Sequence, residues 1–171
     1  VTHRVNPIMQ TCIGPSEEHV SMAGIPTEAS ILDMVERAMP GRVQNVYAHS
    51  SGGGKFIAVI QFKKTVPSDE GRQRQAALLA FSAFPELKQV ILVDEDVDNF
   101  DTNDVLWAMT TRMQADVDIV TIPGVRCHPL DPSNDPACSW SIRDHGIACK
   151  TIYDATVPFN QKARFQRAKF M

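Results

Sequence analysis

Asp94, Asp96 and Asp98 stand at alternate positions in the acidic run 94–101, the spacing with which a calcium loop offers its first carboxylates. Such a loop needs Gly at its sixth position and Glu at its twelfth. The chain has Asn99 and Val105 there. The run therefore reads as carboxylates that cap the next helix and take salt bridges, for example from Arg112 or Arg126. Gly52-Gly53-Gly54-Lys55 offers backbone amides and a cation, as a phosphate loop does, but the glycine spacing fails and Phe56 stands where Ser or Thr is required. It reads as a hairpin tip, with Lys55 entering a strand beside Phe56 in a position to point inward. His145 and Cys149 could pair a base with a thiol nucleophile, yet no third group in the sequence orients them. His19 follows two glutamates ahead of a helix and by itself reads as a surface histidine. His128 lies in Arg126-Cys127-His128-Pro129-Leu130-Asp131-Pro132-Ser133. The two prolines stiffen that loop and fix the directions of His128 and Leu130. A titratable ring and an apolar side chain on a rigid loop suit a pocket wall.

The elements that must hold these residues follow from pattern and punctuation. An extended entry ends in a strand near Ile8–Ile13, and a loop runs through His19. A helix begins after Pro26, capped by Thr27, with Ile31, Leu32, Val35 and Ala38 at helical spacing, and stops at Pro40-Gly41. Val43–His49 and Phe56–Phe62 form a hairpin around the glycine turn. Ser68 caps a second helix that Pro85 ends. Val90–Val93 fits a strand buried on both faces. Thr102 or Asn103 caps a helix to about Arg112, with Val105, Leu106 and Met109 inward, and Ile119–Ile122 is a further strand. From about 123 to 171 the pattern gives way to Pro and Gly, and irregular stretches of that length tend to carry function. The order predicts one α/β domain over 1–171, a mixed sheet with flanking helices.

Composition bounds the class. Apolar residues are 43% and charged residues 22% of 171, the values of a soluble globular chain rather than a disordered one. Net charge is −3, and the basic residues are scattered. The densest group, Lys162, Arg164, Arg167 and Lys169, reads as a solvated helix face or tail, so no nucleic-acid partner is expected. Apolar runs are too short to span a membrane. Four cysteines, at 12, 127, 138 and 149, contain no CxxC pair. That argues against a zinc ribbon and for reduced thiols in a cytoplasmic protein. The chain opens with Val1, which suggests a processed chain or a piece of a longer protein.

Several segments together resemble one family. Val90-Ile91-Leu92-Val93-Asp94-Glu95-Asp96-Val97-Asp98, followed by Asp104-Val105-Leu106-Trp107-Ala108-Met109-Thr110-Thr111-Arg112, is similar to the C-terminal domain of the UbiD-like decarboxylases, as is the opening Thr2-His3-Arg4-Val5-Asn6-Pro7-Ile8. Gly24–Ser30, Gln44–His49, Gly52–Phe56, Asp69–Gln73 and Cys149–Ile152 resemble the members that decarboxylate protocatechuate, gallate and 4-hydroxybenzoate. The resemblance covers essentially the whole chain. It implies non-oxidative, reversible decarboxylation of an aromatic carboxylic acid on prenylated FMN. It further implies that His19, Lys55 and His128 face the phenolic hydroxyls and that Leu130 packs on the ring as a gate. Pro129 departs from the protocatechuate enzymes. The family's catalytic arginine and glutamates, and the residues that hold the flavin phosphate through manganese and potassium, match nothing here. No catalytic residue is therefore expected in this segment, and it should be inactive alone. Its expected partners are its own N-terminal cofactor domain and further copies in a homo-oligomer. The alternative is an isolated oligomerisation module without activity.

Overall fold

A computed structural model of the chain describes residues 17–128, 131–134 and 146–168, the side chains of 17–20 and 132 excepted. The expected strand near Ile8–Ile13 lies outside them. Helix α1 (Glu17–Ala38) leads into the antiparallel hairpin of β1 (Val43–Ala48) and β2 (Ile57–Phe62). Helix α2 (Arg72–Ala83) then returns the chain to β3 (Gln89–Asp94), parallel to β2. After α3 (Thr102–Arg112), the short α4 (Ala115–Asp118) and β4 (Ile119–Arg126), β5 (Ile147–Ala155) enters between β3 and β4. It runs parallel to β3 and antiparallel to β4, so the sheet order is β1-β2-β3-β5-β4. This is the expected mixed sheet with flanking helices.

Strand periodicity splits β2 between two cores. Ala58, Ile60 and Phe62 face Ile31 and Val35 of α1 and Ala76, Ala77 and Ala80 of α2. Val59 faces the other way, where Val105 and Ala108 of α3 pack with Val93 and Ala155. Val90 and Leu92 serve the first core and Val93 the second, so β3 is buried on both faces as expected. The helices that follow β2 and β3 lie on opposite faces of the sheet.

Several boundaries differ from the sequence expectation, each for a local reason. Pro26 and Thr27 lie inside α1 rather than at its start, and Glu17–His19 belong to the helix, not to a loop. Thr27 is buried and its hydroxyl donates to the Ala23 carbonyl at 2.7 Å instead of capping. The carbonyl that Pro26 leaves without its amide partner is that of the exposed Met22, where water can reach it. Asp101 caps α3, its carboxylate accepting from the Asn103 amide at 2.9 Å. Leu106 is 52% exposed, and Ala108 takes the inward position. Gly71 with φ 88°, not Ser68, precedes α2. The irregular stretch expected from 123 to 171 contains β5, and β4 runs on through Pro123-Gly124 by a shift of register between Ile122 and Val125.

Candidate functional site

The end of the sheet where β2, β3 and β5 begin gathers the sequence-derived site residues that the structure describes. Lys55 is set by the tight coil between β1 and β2. His49 starts that coil, its carbonyl accepting from Gly52 at 3.0 Å and Gly54 at 3.3 Å, and the Gly52 carbonyl accepts from Phe56 at 3.1 Å. A Cβ on Gly52 would lie 2.9 Å from the Ile57 nitrogen, and Gly53 and Gly54 have φ of 65° and 69°. Only glycine fits all three places. The triple glycine is therefore a close-packed corner rather than a loose hairpin tip. It delivers Lys55 to the site with its side chain only 18% exposed.

Phe56 then joins two strands. Its carbonyl accepts from the amides of Lys88 at 2.9 Å and Gln89 at 2.8 Å. That brings the turn before β3 beside Lys55, and Glu86 is on that turn. The Lys55 Nζ lies 3.8 Å from Glu86 Oε2. His128 arrives from the far side of the sheet, just after β4. Its Nε2 lies 3.6 Å from Glu86 Oε1, its side chain is 12% exposed, and its ring meets Phe56 edge to face at 5.9 Å. Lys55 and His128 thus meet at one carboxylate. Glu86 went unnoticed in the sequence because a lone glutamate after Pro85 carries no spacing signal; only the pairing of β2 with β3 reveals it.

The loop that carries His128 is held from below. Lys88 donates to Asp131 at 2.8 Å and to the Ser133 hydroxyl. Asn134 Nδ2 and the Asp131 amide donate to the His128 carbonyl, each at 3.1 Å. Burial alone would raise the Asp131 carboxyl, but the bonds from Lys88 and Ser133 hold it below the usual range. Leu130 lies outside the described residues, and so does the side chain of His19, whose backbone is in α1. His145 is also outside them, and Cys149 is an exposed thiol on β5.

The acidic run sits at the opposite end of the sheet. Arg112 clamps Asp96 with bonds of 2.8 and 2.6 Å and reaches Asp94 at 3.1 Å. Lys162 bonds Glu95 at 2.9 Å, and Arg167 pairs with Asp104 while stacking 4.2 Å over Trp107. Of the basic group near the C-terminus, Lys162 and Arg167 are thus ion-paired instead of lying on a solvated face, and Lys169 lies outside the described residues. Asp94, Glu95, Asp96, Arg112, Lys162 and Arg167 line a cavity of about 820 Å³. Desolvation pushes the Asp94 carboxyl up to about 6, against the pull of the Val157 amide, Lys162 and Arg112. Among the described residues no group of His, Cys, Asp and Glu is placed to hold a metal ion. The family resemblance assigns the manganese to residues outside this chain, and the described residues offer no site for it. No helix among them is long and apolar enough to cross a membrane.

Comparison with known proteins gives a consistent set. Residues 20–155 match the family described as 3-octaprenyl-4-hydroxybenzoate carboxy-lyase C-terminal domain. The chain is 63% identical, over its whole length and 35% of the relative's, to gallate decarboxylase of Lactiplantibacillus plantarum. It superposes on the apo structure of the Enterobacter cloacae 3,4-dihydroxybenzoic acid decarboxylase with a TM-score of 0.89 and 64% identity, covering 92% of this chain and 32% of that one. The UbiD-class enzyme HmfF from Pelotomaculum thermopropionicum, solved in complex with FMN, follows at 0.79 and 34%, covering 91% and 32%. An evolved dimeric form of HmfF is solved with prFMN at 0.69 and 29%, covering 91% and 29%. The chain spans about a third of the length of the relatives it matches.

Proposed function

This chain belongs to the UbiD family, with which it shares the C-terminal domain, and we propose that it is the C-terminal part of a reversible, non-oxidative decarboxylase of hydroxybenzoic acids. Within that enzyme it supplies one wall of the substrate pocket and contacts between subunits. The observation that carries this reading is the meeting of Lys55 and His128 at Glu86, although they stand in loops far apart in sequence. The relatives named for gallate and 3,4-dihydroxybenzoate support the substrate class. The flavin-bound HmfF structures support prenylated FMN, and its dimeric form supports a homo-oligomer. The manganese, the potassium and the catalytic arginine and glutamates belong to the part of the enzyme outside this chain. A cytoplasmic location completes the reading.

The cofactor supplies the electron sink at the ring carbon. This chain's residues act on the other end of the ring. The Lys55 ammonium favours phenolate character at a hydroxyl oxygen. His128 exchanges a hydrogen bond with the neighbouring hydroxyl, strengthened as charge builds there. His19 and Leu130 complete the wall. In the full-length enzyme, His128→Ala should lower turnover of 3,4-dihydroxybenzoate or gallate by about 100-fold or more, the scale of a lost general acid–base group, with flavin content intact. Unchanged turnover rejects the role.

A second reading, an assembly module without chemistry of its own, draws on the exposed Met22 and Ile25 of α1, apolar side chains on a surface another protein part would cover. Native mass spectrometry of this chain tests the assembly role: a flavin-free oligomer supports it, and a flavin-free monomer rejects it.

A further inference from the structure

The pocket wall must tell the two ends of its substrate apart. A hydroxybenzoate has an anionic carboxylate at one end and phenolic hydroxyls at the other. A lysine and a histidine left to themselves would attract the carboxylate more strongly than a neutral hydroxyl. Bound that way round, the ring would carry its carboxylate away from the reacting centre. Glu86 alters this balance. Its carboxylate offsets the Lys55 charge at 3.8 Å and faces His128 at 3.6 Å. A second carboxylate brought there would meet the like charge of Glu86, beside a Lys55 ammonium whose charge is already offset. A phenol fits, since its oxygen accepts from lysine while its proton is donated to Glu86.

The backbone that carries the carboxylate is held in place. Leu87, fully buried, anchors the turn, and its amide donates to the Phe84 carbonyl at 3.0 Å. Lys150 donates to the Pro85 carbonyl at 2.7 Å, and Cys127 Sγ bonds the Glu86 carbonyl at 3.4 Å. The backbone on both sides of Glu86 is therefore tied to β5 and to the residue next to His128. The side chain itself is 38% exposed at the mouth. A surface salt bridge of that exposure does little for stability, so the value of Glu86 lies in what it does to an incoming anion.

We propose that Glu86 is a positioning residue that orients the substrate: it makes this end of the pocket accept the hydroxyl end of a hydroxybenzoate and reject a carboxylate. The inference rests on the reading that Lys55 and His128 face the substrate. The test uses the full-length, flavin-loaded enzyme with two probes, 3,4-dihydroxybenzoate as substrate and terephthalate, which carries a carboxylate at both ends, as inhibitor. Glu86→Gln, isosteric but uncharged, should raise KM for 3,4-dihydroxybenzoate about 10-fold and tighten terephthalate inhibition about 10-fold, a difference of about 1.4 kcal/mol. Glu86→Asp should keep the wild-type order of the two probes. Adding Lys55→Met to Glu86→Gln should abolish the gain for terephthalate. A loose or damaged site would weaken both probes together; that result, or an unchanged terephthalate constant, overturns the inference. The single variant Lys55→Met separates the two levels. If it leaves KM for 3,4-dihydroxybenzoate unchanged, the substrate-facing reading itself fails. If it raises KM while Glu86→Gln leaves the order of probes as in the wild type, only the role of Glu86 fails.

Discussion

Lys55 depends on Gly52 as much as on its own side chain. A methyl group at Gly52 would press on the Ile57 backbone nitrogen at 2.9 Å, and backbone cannot swing aside as a side-chain tip can. Gly52→Ala should therefore shift the corner that carries Lys55. The expected cost is about 1–3 kcal/mol of folding free energy, as for overpacking elsewhere, read by denaturant unfolding of the full-length protein. KM for the hydroxybenzoate should rise with it. Lys55 and His128 could be named from the sequence because family resemblance pointed at them, and stiffness of the Pro129 and Pro132 loop supported one of the two. Glu86 could not. Its place beside them exists only through the pairing of Phe56 with Lys88 and Gln89, a tertiary event that no local pattern encodes.

The strands and helices show why some of the fold was legible and some was not. β3 announced itself, as Val90–Val93 is apolar throughout and the strand is central. β5 is likewise paired on both sides, yet its sequence reads as irregular chain. Its inward positions include Ala148, Lys150, Ile152 and Asp154, all buried, and two of these are charged. Hydropathy cannot see such a strand. Bonds replace hydrophobicity at both charged places. Lys150 holds the Pro85 carbonyl and lies 5.0 Å from the centre of the Phe81 ring. Asp154 accepts from Arg74 at 2.8 Å, Gln73 at 3.0 Å and Thr156 at 2.6 Å. Asp154→Ala should cost about 2–4 kcal/mol, because it leaves buried donors unpaired. A double-mutant cycle with Arg74 checks this: a coupling near zero would mean the pair is not holding β5 in place. α1 departs from its sequence pattern for the opposite reason. Pro26 reads as a helix start, but the amide it lacks faces an exposed carbonyl and the helix absorbs it.

Across the whole molecule, one end of the sheet gathers carboxylates that are shifted in opposite directions. At the far end the bonds from Arg112 hold Asp96 below the usual carboxylate range, and those from Arg167 do the same for Asp104. Their contribution to stability is present above the unfolded value near 4 and is lost as pH falls through the lower folded values. Asp94, raised to about 6, has the reverse sign. Its native form binds a proton more readily than the unfolded chain does, so stability should decline as pH rises from about 4 to 6. Asp94→Asn should flatten that decline by an amount on the order of 2 kcal/mol, seen in unfolding curves measured across the window. The same topology sets a timetable for synthesis. β3 pairs on one side with β5, whose residues leave the ribosome about 60 positions later. At roughly 5–20 residues per second, β3 waits about 3–12 s with an apolar edge bare. An open edge of that composition recruits other strands. The growing chain therefore passes through an interval in which it needs shielding, and that interval closes when Ala155 has left the ribosome.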